Sequence, residues 1–313
     1  MLDFDYLMTI PLRLEFGYFP QPLNLNRGPI RILTLPDLET TVADLKSSQE
    51  VEKDWIYAGP QLVHQLGVGV VQRPYSARVF GLPKTHAIVH SAADGQDHLI
   101  FHLWALSFFT GMRLSSTDAG FVDATPIKRG KLVDFGIQDQ GLLEALARAD
   151  NFWIRHRSSP ERARLFTAAV HALFLSQNPQ LLQFEKFILL YTAIDACFAL
   201  VKSIKSPAKN PSSHANRIKW MCCSFEMPVP PWADPTLGTE IAVLRNATMH
   251  EALFMGEPLG FAVHGTGTNV NITHEMRGFI CRLIVTLLGG ESCDYVRTPV
   301  DTRQRHLLKF ITP

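Results

Sequence analysis

Residues 158–204 read SSPERARLFTAAVHALFLSQNPQLLQFEKFILLYTAIDACFALVKSI, and the punctuation of this stretch decides the fold. Ser158 and Ser159 ahead of Pro160 supply an N-cap with proline at the first helical position, which predicts a helix over 161–177. Asn178-Pro179 ends it, and a long apolar helix is expected from Gln180 to about Ile204. Working outward, the helical period begins near Gln138 and holds almost to the end. A helix is expected over 141–155 on the near side. Beyond the polar break at 206–211, helices are expected over 212–225, about 236–255 and 272–288, the last closed by Gly289-Gly290. Six helices joined by short, capped loops make a bundle. The tail after Cys293 is expected to be an ordered extension or a peripheral strand.

Upstream the period changes. Segments 12–19, 30–35, 67–72, 77–80 and 87–90 are short, β-branched or aromatic, and bounded by Pro, Gly or Asn, which marks them as strands. A short helix is expected over 37–46, opened by Pro36, and a stronger one over 97–110, stopping at Gly111. Residues 117–136 alternate polar and apolar around Pro126 and Gly130, as a hairpin or an extended connector would. The expected class is α+β: a mixed, strand-containing N-terminal domain (1–136) followed by an all-α C-terminal helical bundle (137–313).

Composition narrows the function classes. The 313 residues are 46% hydrophobic and 19% charged, which suits a folded chain with a substantial core. The formal net charge of +1 offers no global basic field, so any RNA site must be local. The five cysteines, Cys197, Cys222, Cys223, Cys281 and Cys293, form no CxxC pair or zinc-ligand spacing and read as buried thiols in a reducing compartment. The first residues, MLDFDYLMTI, lack a signal-peptide pattern, and the richest apolar run, 99–109, is broken by His102 and Ser107. A cytoplasmic protein without a membrane span is the expectation.

The chemistry-bearing motif lies on the fifth expected helix, Glu240-Ile-Ala-Val-Leu-Arg245-Asn246-Ala-Thr-Met-His250-Glu251. Here the chain resembles the HEPN superfamily, whose ribonuclease members carry Arg, often followed by a polar residue, four to six positions before His on a late helix. Asp195, in the earlier long helix, matches the acidic residue often present in these families. A mixed N-terminal region, a helix ending in Leu-Ser-Phe-Phe-Thr-Gly and then the bundle look like the ApeA-like branch. The resemblance implies a helical bundle with Arg245, Asn246 and His250 as catalytic residues and Asp195 and Glu251 in support. It further implies an endoribonuclease in a defence or toxin context, working as a homodimer that joins two motifs in one cleft. The N-terminal domain would then sense a trigger, through a regulatory partner or ligand, or position the substrate.

Residue chemistry supports that expectation independently. On a wheel of 100° per residue, Ile241, Leu244, Thr248, Ala252 and Met255 share one face, and Val243, Asn246, His250 and Phe254 a nearly opposite one. Two partly apolar faces suggest two buried surfaces, the second a subunit interface or a contact with the N-terminal domain. Metal-free RNA cleavage uses the 2′-hydroxyl as nucleophile. An imidazole with a pKa near 6.5 can move its proton. Arg245 would neutralise the phosphorane through its bidentate fork, and Asn246 would orient the phosphate or the histidine. One histidine cannot readily serve as acid and base in one step, a physical reason to expect a dimer. The products would be a 2′,3′-cyclic phosphate and a 5′-hydroxyl. Alternatively, the same trio caps and solvates an exposed helix, and the chain is a non-catalytic HEPN scaffold binding nucleotide or RNA.

Other features are read more plainly. Arg164 to His171 repeats the loose spacing but has Leu165 after the arginine, and is taken as a coincidence of one helix face. His86-x3-His90 falls in strand-like sequence, and His98-x3-His102 sits on a helix without the glutamate of a zincin motif. They are read as polar positions on packed faces, with no metal and no cofactor expected; a metal-dependent hydrolase built on them is the distant alternative. Gly265-Thr-Gly267-Thr near His264 is read as a loop. The densest basic stretch holds Lys202, Lys205, Lys209, Arg217 and Lys219. Its default reading is a solvated helix end; in an RNA-binding role Lys202, Lys205, Arg217 and Lys219 would track the backbone.

Overall fold

In a computed structural model of the chain, the described residues are 11–74, 78–117, 124–234, 236, 241–243, 245–246, 272–300 and 306–310. In chain order the first elements are β1 (Leu12–Phe16), β2 (Leu25–Arg27), β3 (Ile30–Thr34), α1 (Leu38–Lys46), β4 (Val51–Glu52), β5 (Trp55–Ile56), β6 (Leu62–Gln65), β7 (Gly69–Gln72) and β8 (His86–His90). They continue with α2 (Gln96–Thr110), β9 (Thr125–Pro126), β10 (Phe135–Gly136), α3 (Asp139–His156), α4 (Pro160–Leu175), α5 (Gln183–Ile204) and α6 (His214–Ser224). After a 3-10 turn at Pro231–Ala233 come α7 (Ile272–Leu287), α8 (Asp294–Arg297) and β11 (His306–Leu307). The chain is α+β.

The main sheet is antiparallel, in the order β1-β8-β3-β2. β8 lies in its middle, with Ile88 opposite Leu14 on one side and Ile32 on the other. Four of its five residues are buried, as befits a strand covered on both faces. α2 covers this sheet, touching β1 and β8, and packs on its other sides against α3 and α4. Eleven of its fifteen residues are buried, including Leu99, Phe101, Leu103, Leu106 and Phe108. A helix apolar all round must be enclosed, and α2 is. It ends at Gly111, whose φ of 61° is the left-handed cap geometry that glycine adopts freely. A Cβ there would meet Gly130 Cα and Val133 Cγ2, both at 2.8 Å, so no other residue fits.

The helices after α2 follow their sequence signals closely. In α3, Leu142, Ala145, Leu146, Ala149 and Phe152 form the inward stripe at helical spacing. Pro160 opens α4 at N1, and α4 and α5 pack along one another. Ser213 Oγ accepts the Asn216 amide at 3.2 Å and caps α6. α7 packs against α4 and α5 and buries Phe279, Ile280, Leu283 and Ile284 completely. Of the expected fifth helix, residues 241–243 and 245–246 are helical, and the rest lies outside the described residues. One core cluster runs without a gap from Phe16 and Ile88 on the sheet to Phe279 on α7.

One expectation is decided between its alternatives and one changes. Among the described residues of 117–136, β9 pairs antiparallel with β5, and β10 pairs parallel with β11 in the tail. Pairing with distant strands makes this segment the extended connector, and it gives the tail its strand. Second, α5 has the length and apolarity of a membrane-crossing helix, although sequence inspection found no such run. Here Phe187, Leu190, Ile194, Cys197, Leu200 and Val201 are spent on the packed core instead.

The connector is fixed by a buried ion pair. Arg282, 2% exposed on α7, donates to Asp134 at 3.1 Å and to the carbonyls of Gly278 and Thr298 at 2.9 and 3.0 Å. Asp134 also accepts the Tyr295 hydroxyl from α8. Removing only the carboxylate leaves a buried guanidinium short of its counter-charge. Asp134→Ala is therefore expected to cost about 3 kcal/mol of stability, and Asp134→Asn clearly less, in urea denaturation. Equal, small losses in both would show that the pair contributes no more than packing.

Candidate functional site

The residues expected to carry chemistry are only partly described. Arg245 is half-buried and Asn246 exposed, with Arg245 Nη1 3.4 Å from Asn246 Oδ1. His250 and Glu251 lie outside the described residues. Of the two faces of the wheel, the first is represented by Ile241, which is fully buried, and the second by Val243, which is 66% exposed.

Arg245 stands close enough to Asp195 and Tyr191 on α5 to draw both acid groups downward in pKa. Burial outweighs it in each case. The Asp195 carboxyl is held above its ordinary value by burial, against the charges of Arg217, His214 and Arg245. The Tyr191 hydroxyl is raised by burial and by the Asp195 charge. Tyr191 and His214 Nδ1 share a hydrogen bond, and Arg217 lies 3.7 Å from Asp195. α5 and α6 thus surround Arg245 with one carboxylate, one phenol, one imidazole and a second guanidinium. Tyr191 and His214 were not singled out from sequence. They flank no motif, and only the packing of α6 on α5 reveals them.

The basic residues are tied to the chain itself. Lys205 donates to the Ser224 carbonyl at 2.7 Å and lies over the Phe225 ring. Arg217 stacks on Phe198 besides facing Asp195. Lys219 is 3.9 Å from Asp234. Lys202 is exposed. These contacts favour the solvated helix end over an RNA track.

The histidines dismissed as packed polar positions form a second, more ordered cluster. His90 from β8 joins His98 and His102 from α2 around Asp150 of α3, and all four are buried. Asp150 Oδ1 lies 3.1 Å from His90 Nε2, 2.9 Å from His98 Nε2 and 3.6 Å from His102 Nε2. Burial alone would raise the Asp150 carboxyl, but hydrogen bonds from His90 and His98 with the nearby imidazoles hold it well below the carboxylate range. Burial pushes His102 down to about 4, which leaves it neutral. Strand and helix spacings were each judged separately, and the pairing that matters is between them. The readable signal was Asp150 itself, a carboxylate on the inward stripe of α3 in line with Leu142 and Leu146.

His86 stays outside this group. Its Nδ1 is 2.9 Å from Thr85 Oγ1, and its ring stacks on Phe16. Set against protein-family models, curated proteins and solved structures, the chain matches none of them.

Burial lowers His86 from 6.5 to about 4. The unfolded chain takes up this proton near 6.5 and the folded chain only near 4, so stability falls as pH drops through that window. His86→Phe keeps the ring and removes the proton. Its stability loss between pH 7 and 4 is expected to be smaller than the parent's by on the order of 2–3 kcal/mol, measured by urea denaturation. Parallel acid profiles would contradict this.

Proposed function

We propose that the chain is a metal-independent endoribonuclease of the HEPN type, with its mixed N-terminal region (1–136) sensing a trigger or positioning RNA for the bundle (137–313). The observation that carries the reading is Arg245-Asn246 four residues ahead of His250, with Arg245 set beside Asp195 of α5. His250 takes the proton of the 2′-hydroxyl as its oxygen attacks phosphorus, and the 5′-oxygen leaves with a proton given by the same motif of a second copy of the chain. Arg245 neutralises the charge gathering on the phosphorane, and Asn246 orients the phosphate. Asp195 and Glu251 support these groups. The exposure of Val243 and Asn246 on the side away from Ile241 favours a site completed by a second copy of the chain. A defence or toxin setting, and a tie to the ApeA-like branch, follow from the resemblance alone.

The second reading, a non-catalytic scaffold binding RNA or nucleotide, is favoured by the self-contacts of Lys205, Arg217 and Lys219 and by the near-neutral charge.

Cleavage of RNA in buffer free of added divalent ions separates them. The enzyme is expected to leave 2′,3′-cyclic phosphate ends and to spare DNA, with His250→Ala and Arg245→Ala each reducing the rate by about 100-fold or more. RNA binding without cleavage would favour the scaffold. Cleavage that needs added Mg²⁺ and leaves 5′-phosphate ends would overturn the proposed chemistry.

A further inference from the structure

We propose that His90, His98, His102 and Asp150 hold a divalent transition-metal ion, zinc fitting best, as a buried clasp joining β8, α2 and α3. The reading is independent of the ribonuclease proposal. Three imidazole nitrogens and one carboxylate oxygen are a ligand set suited to zinc. In a tetrahedral zinc shell, neighbouring nitrogen and oxygen ligands lie about 3.3–3.4 Å apart. The contacts of Asp150 Oδ1 to the three Nε2 atoms, 2.9–3.6 Å, straddle that spacing. All four ligand atoms fall within 4.8 Å of one another. Every ligand pair of a tetrahedral shell shares the same spacing, so a pair at the 4.8 Å limit closes by about 1.4 Å through side-chain torsions.

The hydrogen-bond pattern argues for a cation more strongly than the distances do. His102 Nδ1 donates to the His98 carbonyl at 2.8 Å, so its neutral ring turns a lone pair at Nε2 toward the cluster. That Nε2 is fully buried and has no hydrogen-bond partner. His98 makes its hydrogen bond through Nε2, to Asp150 Oδ1 at 2.9 Å, while its Nδ1 lies 3.3 Å from the Asp94 carboxylate without one, so ligation through Nε2 would move the proton to Nδ1, toward Asp94. Asp94 in turn accepts the Trp153 indole N–H at 3.0 Å. The buried Nε2 lone pair of His102, held away from water beside the Asp150 carboxylate, is what a metal ion relieves. His90 must adjust as well. Its Nδ1 accepts the Ala92 amide at 3.1 Å, and ligation through Nε2 shifts its proton to Nδ1 and releases that amide.

Buried ligands from three elements, with the His102 tautomer fixed by a backbone carbonyl, describe a built site. Trp153 stacks on His98 with ring centroids 5.0 Å apart and also lines the neighbouring surface cavity, closing the cluster from that side. A closed four-ligand shell leaves no coordination position for a substrate, so the ion is structural.

The test uses the full-length protein, stripped with a strong chelator and titrated with Co²⁺. About one ion per chain is expected, with the intense visible absorption of tetrahedral cobalt, displaced by Zn²⁺. Asp150→Asn and His102→Gln are each expected to lower bound metal below about one tenth of an equivalent while circular dichroism stays unchanged. Where a variant fails to fold, the parent's stoichiometry and spectrum decide. Binding below about one tenth of an equivalent in the parent, a weak octahedral spectrum, or full binding in both folded variants would overturn the clasp.

Discussion

Asp150 gathers three imidazoles out of water, and the placement of the whole N-terminal half depends on that gathering. One carboxylate oxygen on α3 faces a histidine from the central strand of the sheet and two from the helix lying over it. Burying four polar side chains together is costly unless their donors and acceptors are matched. His90 and His98 are matched by hydrogen bonds to Asp150, and that pairing demands one relative position of β8, α2 and α3. Around it, Phe101, Phe152 and Trp153 pack ring on ring and exclude solvent. Hydrophobic burial supplies most of the driving force, but it is nondirectional. The polar cluster selects the register.

The helix carrying two of these histidines is also enclosed, with eleven of its fifteen residues buried. α2 touches the sheet, α3 and α4, so sheet and bundle share a single core. At the far end of the molecule, Arg282 on α7 plays a comparable part, linking the connector through Asp134 to the short helix bearing Tyr295. Between these polar anchors, apolar stripes carry most of the helix packing. Of the proposed ribonuclease residues, Arg245 stands beside Asp195 of α5, which Arg217 approaches to 3.7 Å.

Much of this was legible in the sequence, because local signals suffice for helices. Pro160, Asn178-Pro179 and Gly111 marked helix limits, and the chain respects them. Strand existence was legible in part: β1, β3 and β7 fall within expected segments and β8 overlaps one, whereas β2, β4, β5 and β6 fall in none. Partners were not. The segment of β9 and β10 read equally as a hairpin or a connector, and each strand pairs with one far away in the chain, which no local pattern encodes. The histidine cluster failed for the same reason. His98 and His102 at helical spacing and Asp150 on an apolar stripe were each visible, while His90 joins them only through the crossing of β8 over α2. Near Arg245, Asp195 was found from a family pattern, whereas Tyr191 and His214 come from tertiary packing.

The central claim is that the Asp150 cluster fastens sheet and helices into one cooperative unit. Native-state hydrogen exchange, resolved by segment over β8, α2 and α3, tests it most directly. Amides of the three segments are expected to open together, with one shared free energy near that of global unfolding. A sheet whose β8 amides exchange at a clearly lower free energy than those of α2 and α3 would contradict the account.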